Sequence, residues 1–423
     1  MTWDSALWTG LLDIDLSQGV VNIAGRSPSD YQLAYILVRI HNAPIGYITI
    51  PAEPVESITE RARSYARERL AKALSTHESW HADSWAQLAQ VHWLDLACPA
   101  RGKLRTDGLS VVVCTRNRPA LLRACLRSLQ RLDHKPLDIV VVDNAPTDDA
   151  TAEVVGGVSN VDRRVRYVRE ARAGLSRARN RGLSEALYEN VAFTDDDVEV
   201  DPLWASAFAA ALAGDPDSVC VTGLVTPFSL DTGPERYFDA RYQWGEAFEP
   251  QLFDLGEHSH ESPLYPFRAG LFGTGASFAV RRTAVSELGG FDPRLGAGSS
   301  ARGGEDLDMF VRIILAGGRI TYVPAALAWH KHRADTAGLS DQIFAYGHGL
   351  GAYLAKRLMK RDLGPGQLVR AFRDPSKDVE RLRAASEAAR LGRASALLAV
   401  SEALGVATGM ARYCVSARAS RAQ

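Results

Sequence analysis

The chain has 423 residues, enough for two or three domains, and its 46% hydrophobic and 23% charged residues are typical of a globular protein with a sizeable core. Its formal net charge of -1 argues against nucleic acid as a partner. The five cysteines are odd in number and show no CxxC spacing, so we expect free thiols, no zinc site and a cytoplasmic location.

We expect neither a secretory signal nor a membrane-spanning helix. Trp3, Asp4 and Trp8 interrupt the first apolar stretch, which is therefore unlike the apolar core of a signal peptide. Elsewhere the sequence shows no uninterrupted apolar run of about 18 residues, the length that a spanning helix needs.

Residues 1–107 are predicted to form an accessory α+β domain. The runs Tyr35–Ile40 and Ile45–Ile50 are rich in β-forming residues and are joined by a short turn, which predicts a hairpin. The charged, alanine-rich stretch Ile58–Leu74 carries apolar residues at helical intervals, and His81–Leu94 predicts a second helix.

From Leu109 the pattern alternates between strand and helix. The predicted strands are Leu109–Cys114, Leu137–Val142, Val165–Val168 and Val191–Thr194. Such alternation predicts an α/β domain, which we place at residues 108–335, with a mostly parallel sheet covered by helices. In the second half of this domain, the stretch Phe228–Phe267 is predicted to be a long, irregular and partly mobile segment.

Three consecutive aspartates, Asp195, Asp196 and Asp197, follow the fourth predicted strand. Adjacent carboxylates repel one another unless a cation or hydrogen-bond donors compensate. Because Mg2+ usually takes one or two carboxylates together with substrate phosphates, the triplet predicts a metal held between the protein and a diphosphate. The alternative is a solvated acidic turn before a helix that Asp201 caps and Pro202 begins.

Other strand ends favour the functional interpretation of this triplet. Cys114–Arg118 and Asp143–Asn144 follow the first and second predicted strands, and a helix capped by Thr147 is predicted next. Ligands bind beyond the carboxyl ends of the strands in sheets of this kind, so these segments and the triplet are expected at one edge.

Residues 336–423 are rich in alanine, leucine and arginine and are predicted to be helical. Two roles stay open for this C-terminal segment. It lies on the anionic inner face of a membrane as a peripheral contact, or it packs against the preceding domain or a second copy of the chain in a homodimer.

Residues 109–332 carry seven short motifs in the order found in one family. These residues resemble glycosyltransferase family 2, inverting nucleotide-sugar enzymes with the Rossmann-like GT-A fold. The motifs are Val111–Pro119, Val140–Asn144, Gly174–Gly182, Phe193–Asp197, Gly273–Ala276, Gly290–Asp292 and Gly304–Asp306.

The resemblance implies a donor site at the predicted sheet edge. Thr115, Arg116 and Asn117 are expected to contact the base and ribose, with Arg116 also near phosphate, and Asp143 to recognise uracil or ribose. The further donor-site residues are Arg172 and Arg179 toward the nucleotide or diphosphate, Asp195 toward ribose, and Asp196, Gly275 and Glu305 around the donor.

The resemblance also implies a base and a metal site. Asp306 matches the family's base position, and the first turn of a helix would favour its ionised form; the alternative is an ordinary acid at a helix start. Asp197, in the family's DXD motif, and His330 are the expected ligands of Mn2+ or Mg2+. His332 is expected on the opposite side of an extended segment, and the alternative for His330 is packing against Trp329 or exposure to solvent beside Lys331.

The sequence therefore predicts a metal-dependent inverting glycosyltransferase. It would move a sugar from a nucleotide-sugar donor, expected to be UDP-linked, to a hydroxyl of a glycan, glycolipid or small-molecule acceptor. A non-catalytic sugar-nucleotide-binding or scaffold protein is the alternative. Cys114–Arg118 contains no glycine, which argues against a dinucleotide-binding dehydrogenase and a sugar-1-phosphate nucleotidyltransferase.

Overall fold

The structure, a computed structural model, describes residues 6–13, 19–22, 24–40, 42–69, 107–245, 247–367, 376–389 and 393–419. A three-stranded and a nine-stranded sheet organise these residues. The helix predicted at His81–Leu94 lies outside the described ranges.

The smaller sheet is built from β1 (Leu7–Asp13), β2 (Leu33–Ile40) and β3 (Ala43–Pro51) and is covered by α1 (Val55–Arg69). The antiparallel pairing of β2 with β3 confirms the predicted hairpin. The sequence did not indicate β1, which pairs parallel to β2. The apolar side chains that β2, β3 and α1 share form a core of their own beneath this sheet.

The parallel half of the larger sheet has the predicted strand–helix alternation. Its elements are β4 (Leu109–Thr115), α2 (Pro119–Gln130), β5 (Leu137–Asn144), α3 (Ala150–Ser159), β6 (Val165–Glu170), α4 (Leu175–Glu185) and β7 (Asn190–Asp195). In space the strands run in the order β7-β4-β5-β6, all parallel. Every side chain of β4 and β5 is buried, as expected for strands covered on both faces. This confirms the α/β class.

The other half of the sheet is mixed. Its elements are β8 (Val198–Val200), α5 (Trp204–Gly214), β9 (Ser218–Pro227), α6 (Gly233–Tyr242), β10 (Gln251–Phe253), β11 (Ser277–Arg281), α7 (Arg282–Glu287), α8 (Glu305–Leu315) and β12 (Arg319–His330). Strand β11 lies antiparallel between β7 and β9, and β12 lies parallel to β9. These pairings bring the start of α8 and the end of β12 to the edge where β7 ends.

The stretch predicted as irregular, Phe228–Phe267, contains two regular elements, α6 and β10. The signal that sequence inspection missed is a capping box at the start of α6. Thr232 accepts a hydrogen bond from the backbone N–H of Glu235, whose carboxylate accepts one from the backbone N–H of Thr232.

Two predicted helix caps were wrong. Thr147 precedes α3 by three residues, and its side chain makes no cap at Ala150. Asp201 stands three residues before Trp204, the first residue of α5. One oxygen of Asp201 accepts from Leu203 N at 3.0 Å, and the other accepts from Arg39 of β2 at 2.6 Å. Asp201 therefore also ties the two sheets together.

The C-terminal segment is helical as predicted, with α9 (Thr336–Lys360), α10 (Ser376–Ala389) and α11 (Arg393–Ala419). Helices α9 and α11 approach each other closely through glycine. A Cβ added to Gly351 would lie 2.0 Å from the carbonyl oxygen of Val406, and one added to Gly409 would lie 2.0 Å from that of His348. Larger side chains at these glycines would push the two helices apart.

Within the described residues, one stretch has the length and hydropathy of a membrane span, Ala394–Ala417 of α11. No such helix was expected, because the prediction rested on uninterrupted apolar runs. Ser401, Glu402 and Gly405 interrupt the run in this stretch. Only 22% of the stretch is buried, so most of its surface faces outward.

Candidate functional site

The three segments predicted to share an edge do so. Cys114 pairs with Asp195, and Thr115 with Asp143, so the ends of β7, β4 and β5 are side by side. The N-terminus of α8 and the end of β12 complete this edge, because Gly275 before β11 contacts Asp306, and His330 contacts Asp197. Buried apolar strands thus bring a set of polar side chains to one edge of the larger sheet, which we call the rim.

The three aspartates of the triplet have different surroundings. Asp195 is partly exposed, and burial together with the neighbouring carboxylates raises its pKa to about 6, against the opposing effect of Arg179. Asp196 is buried and accepts hydrogen bonds from Thr115 Oγ1 at 2.7 Å and Arg118 Nη1 at 3.1 Å. The predicted donor-site role of Asp196 therefore competes with a structural one, since both its oxygens are engaged within the protein.

Asp197 lies beside a histidine and two arginines. Its Oδ1 is 3.5 Å from His330 Nε2, and its Oδ2 is 3.2 Å from Arg118 Nη1 and 3.4 Å from Arg333 Nη2. Burial would raise the pKa of Asp197, but His330 and the two guanidinium groups outweigh it and hold the pKa well below its usual range. Asp197 is therefore the strongly anionic member of the triplet.

Asp197 and His330 fit a divalent metal as neighbouring ligands. Metal–ligand bonds of about 2.1 Å at near-right angles separate two donor atoms by roughly 3 Å, close to the 3.5 Å found here. Among the described residues no group of three His, Cys, Asp or Glu side chains converges on a single point. The donor set therefore fits an ion that takes its remaining ligands from a substrate.

The expectation that His332 faces away from His330 was wrong. The Nδ1 atoms of the two rings are 3.0 Å apart, and both rings are buried. Residues two positions apart in an extended segment lie on the same face, so side-chain alternation places His332 beside His330 and not opposite it. Phe238 of α6 packs against His332 with ring centroids 4.5 Å apart, which places His332 behind His330.

Asp306 lies in the first turn of α8 and is partly exposed. Its Oδ2 accepts from the backbone N–H of Gly275 at 2.9 Å, and its Oδ1 accepts from that of Leu307 at 2.8 Å. Gly275 is required by space, because a Cβ there would lie 2.7 Å from Asp306 Oδ2. These contacts fix the carboxylate at the rim while leaving it reachable from outside.

Arg179 of α4, which was predicted to contact nucleotide or diphosphate, is buried within the protein. Its side chain is 2% exposed and donates to Glu305 Oε1 at 2.9 Å and to the carbonyl oxygen of Gly275 at 2.9 Å. It also reaches Asp195 Oδ1 at 3.5 Å. Arg179 therefore joins the triplet to the start of α8 from below the rim.

Glu305, predicted at the donor site, is the buried partner of Arg179. Burial raises the pKa of Glu305 to about 7, with Asp306 and Asp195 adding to the rise and Arg179 opposing it. The carboxylate is 7% exposed and is engaged by Arg179 within the protein, and its contact with the donor stays a prediction.

The predicted nucleotide end is formed by the strand ends of β4 and β5. Asp143 is buried; Tyr167 donates to its Oδ2 at 2.9 Å, while its Oδ1 accepts no hydrogen bond from the described residues. Burial raises the pKa of Asp143. Asn117, at a positive φ of 54°, accepts from Thr147 N at 3.1 Å and so joins the two loops.

The two remaining predicted donor-site arginines are exposed. Arg116 lies at the same turn as Asn117, and its Nη1 would be 3.7 Å from a Cβ added to Gly298. Arg172 follows β6, with its side chain 72% exposed and its Nε 3.4 Å from Glu170. Both guanidinium groups are accessible to solvent at the rim.

Sequence reasoning missed several residues around the triplet. Arg118 lies within the motif Val111–Pro119, and Arg333 follows the two histidines outside any motif. Trp244 lies 5.5 Å from the His330 ring, and Tyr346 of α9 stacks on Trp244 at 6.3 Å. These aromatic residues come from segments far apart in sequence, so no local pattern could have grouped them.

The helix that carries Asp306 is held to α9 by charge. Asp308 is fully buried and pairs with Arg312 at 2.8 Å, with Lys356 at 2.7 Å and with Arg357. The pKa of Asp308 is lowered, because these cations outweigh burial. The position of α8 therefore depends on the C-terminal segment as well as on the sheet.

Comparison with known proteins agrees with these motifs. Residues 110–288 match the model of glycosyl transferase family 2. The pre-mycofactocin glycosyltransferase of Mycobacterium tuberculosis is 30% identical over 259 residues, which cover 61% of this chain and 50% of that protein. The inactive polypeptide N-acetylgalactosaminyltransferase-like protein 5 of Macaca fascicularis is 26% identical, over 58% of this chain and 56% of that protein. The chain thus spans about half the length of these curated relatives.

A solved structure with some likeness is that of the mannosyltransferase PcManGT from Pyrobaculum calidifontis, in complex with GDP-Man and Mn2+. The aligned region covers 81% of this chain and 95% of the mannosyltransferase chain, with 21% sequence identity and a TM-score of 0.47. The family assignment rests on the match at residues 110–288 and on the motifs that this segment carries. The comparisons therefore relate residues 110–288 to glycosyl transferase family 2.

Proposed function

We propose that the protein is an inverting glycosyltransferase that moves a sugar from a nucleotide-sugar donor to an acceptor hydroxyl. The observation that carries this proposal is the connection made by Arg179, which contacts Asp195, Glu305 and Gly275 at once. Through these contacts a reachable carboxylate, Asp306, stands beside the aspartate triplet. The reaction needs a base close to the groups that bind the diphosphate, and Asp306 beside the triplet meets this need.

Asp306 is the proposed base. As the acceptor oxygen attacks the anomeric carbon, its proton passes to Asp306 Oδ2 or Oδ1, and the bond from that carbon to the diphosphate oxygen breaks. The electron pair leaves with the nucleoside diphosphate, and the configuration at the carbon is inverted. Positioned proton transfer of this kind typically contributes about 10²- to 10⁴-fold to a rate.

Asp197 and His330 are the proposed ligands of a divalent cation. When bound, the ion would stabilise the negative charge of the departing diphosphate. The imidazole nitrogen favours Mn2+ over the harder Mg2+. Arg118 and Arg333 lie within 3.4 Å of Asp197 and supply further positive charge at the same place.

Asp143 is the proposed contact for the nucleoside. Its Oδ1 is buried without a donor among the described residues, and an unmatched buried acceptor favours a ligand that supplies an N–H or O–H. The imide N–H of uracil and a ribose hydroxyl both meet this need, so we propose a UDP-linked donor. Arg116, Arg172, Thr115 and Asn117 surround the same strand ends.

The experiment that tests this function is a screen of nucleotide sugars by thermal stabilisation and by metal-dependent hydrolysis of the donor. We expect one UDP-sugar to stabilise the protein and to be hydrolysed with Mn2+. Asp306→Asn should keep the stabilisation and lose at least about 10²-fold in turnover, because its shape survives and proton acceptance does not.

A non-catalytic sugar-nucleotide-binding protein gives a different result in the same screen. The wild-type protein would then be stabilised by a nucleotide sugar without hydrolysing it, and Asp306→Asn would change nothing. Turnover of Asp306→Asn within about tenfold of wild type at saturating donor and metal would remove Asp306 from the role of base.

A further inference from the structure

A second surface feature lies on α11. Four large apolar side chains of this helix are mostly exposed: Leu397 (69%), Val400 (55%), Leu404 (56%) and Val415 (69%). At 3.6 residues per turn these positions fall on one face of the helix, away from the glycines that pack against α9. We call these four residues the apolar face of α11. Exposed apolar side chains that share one face of a helix indicate an interaction surface.

An open cavity of about 480 Å³ adjoins the apolar face. Its apolar lining comes from both helices of the α9–α11 pair, with Phe344 on α9, and with Ala411 and Val415 on α11. His348 of α9 and Thr408 of α11 also line it. The volume is within the range of small-molecule sites, roughly 300–1,000 Å³. Val415 belongs both to the apolar face and to the cavity wall, so the two features are joined.

Arg302 and Arg412 line the same cavity and make this surface positive. Both are exposed, and Arg302 stacks over Phe344 at 5.4 Å. Neither takes part in an ion pair with a residue inside the described ranges. The single acid of α11, Glu402, pairs with Arg241 at 3.0 Å. The cavity therefore presents two guanidinium groups beside apolar walls.

We propose that the apolar face and the adjoining cavity bind the surface of an anionic lipid bilayer. The apolar side chains would enter the boundary between headgroups and acyl chains, and the cavity would take part of one acyl chain. Arg302 and Arg412 would contact lipid phosphates. Buried apolar area and attraction to anionic lipids together determine the strength of such binding.

A second copy of the chain matches this surface less well. A two-fold contact presents the same patch from both partners, so it would bring two sets of Arg302 and Arg412 into one interface. The apolar face carries no carboxylate to pair with them, and buried unpaired charges are costly. Charge complementarity therefore favours the bilayer.

The bilayer would lie near the start of α8. Arg302 is followed by Gly303 and Gly304, which pack on α9 at Gly349, and the proposed base Asp306 comes two residues later. If the proposed function holds, this placement means that the acceptor is presented from the membrane and belongs to the glycolipid class. Binding to the bilayer does not itself depend on that function.

Flotation with vesicles tests the surface. Full-length protein is mixed with vesicles of phosphatidylcholine alone or with added phosphatidylglycerol. We expect wild type and Asp306→Asn to float with phosphatidylglycerol vesicles, and Leu397→Gln/Leu404→Gln and Arg302→Gln/Arg412→Gln to lose at least tenfold in the bound fraction. Matched controls are Val161→Gln/Leu187→Gln and Arg123→Gln/Arg127→Gln, which change exposed residues of the same types elsewhere. All variants should retain the wild-type thermal transition.

Absence of flotation for wild type at low salt overturns the proposal, as does flotation that neither double variant weakens. Equal binding to phosphatidylcholine alone overturns the role of the arginines. A dimer that Leu397→Gln/Leu404→Gln dissociates, without flotation, assigns the face to a second copy instead. For the acceptor class, labelled sugar should enter the lipid extract of membranes incubated with protein and donor. Label found only in water-soluble products overturns that class and leaves the glycosyltransferase proposal standing.

Discussion

The Nδ1 atoms of His330 and His332 lie 3.0 Å apart, so one ring donates a hydrogen bond to the other. If His330 donates through Nδ1, its Nε2 is left with a lone pair on the side of Asp197. His332 is then the group that fixes the tautomer and orientation of His330. Groups that orient a metal-binding imidazole in this way commonly change metal affinity about 10- to 100-fold when they are removed.

We therefore expect both histidines to affect the metal. His330→Ala should weaken Mn2+ binding in the presence of UDP by at least about tenfold and reduce the preference for Mn2+ over Mg2+, because the nitrogen ligand is lost. His332→Ala should weaken binding of both ions by about tenfold and leave the preference unchanged, because the ligand remains but is less well oriented. Isothermal titration measures both quantities.

His260→Ala, at an exposed position, is the control and should match wild type. An unchanged Mn2+ titration for His330→Ala would show that carboxylate and diphosphate hold the ion alone. Unchanged binding for His332→Ala would restrict that residue to packing against Phe238.

Gly275→Ala should lower turnover by about 10²-fold, because the new Cβ would lie 2.7 Å from Asp306 Oδ2 and displace it. Donor affinity should stay within about twofold of wild type, since the strand ends of β4 and β5 are untouched. Gly214→Ala is the control, because a Cβ there meets nothing within 4 Å. Steady-state kinetics with separate kcat and KM distinguish these effects, and an unchanged kcat for Gly275→Ala would contradict the placement of Asp306.

Arg179→Met should lower the free energy of unfolding by about 3–5 kcal/mol, because it leaves the buried Glu305 without its charged partner. Adding Glu305→Gln should recover part of this loss. Arg172→Met, at a side chain that is 72% exposed, should stay within about 0.5 kcal/mol of wild type. Denaturant titration gives the values. A stable Arg179→Met protein with weakened nucleotide binding would instead support the diphosphate contact that the sequence predicted.

The raised pKa of Glu305 predicts a pH dependence of stability. Burial raises this pKa from 4.5 to about 7, so the folded protein holds the proton more tightly than the unfolded chain does. The resulting stabilisation is fully present below about pH 4.5 and is lost as the pH rises through 7, with a slope of at most about 1.4 kcal/mol per pH unit.

Glu305→Gln should therefore flatten the fall in unfolding free energy between pH 4.5 and 7. Denaturation curves measured across this range provide the test. Glu153→Gln, at an exposed position on α3, should keep the wild-type slope. Parallel curves for wild type and Glu305→Gln would show that Glu305 is ionised throughout.

The sequence was most informative where apolar runs and polar strand ends coincide. Strands β4, β5, β6 and β7 were predicted within about two residues of their ends, because their apolar, β-branched runs are buried on both faces. The general rule for sheet edges then brought Asp143 and the triplet together. Strand β1, by contrast, was not predicted, although its partners in β2 are only 26 positions further along the chain.

The site was less predictable than the sheet. The contact of Arg179 with Glu305 joins residues 126 positions apart, and no local pattern separates a buried arginine from one that binds phosphate. His332 was misplaced because residues two positions apart in an extended segment lie on the same face, and not on opposite faces. Phe238 packs against the His332 ring in this position.

The burial of Asp308 has a consequence for how the protein can be divided. Two of its three cationic partners, Lys356 and Arg357, belong to α9, so a chain cut before residue 336 would keep only Arg312 beside this carboxylate. The start of α8 would then lose its anchor, and Asp306 with it. The C-terminal helices therefore cannot be exchanged between proteins independently of this sheet. A chimera that combined either part with a foreign partner would separate Asp308 from Lys356 and Arg357.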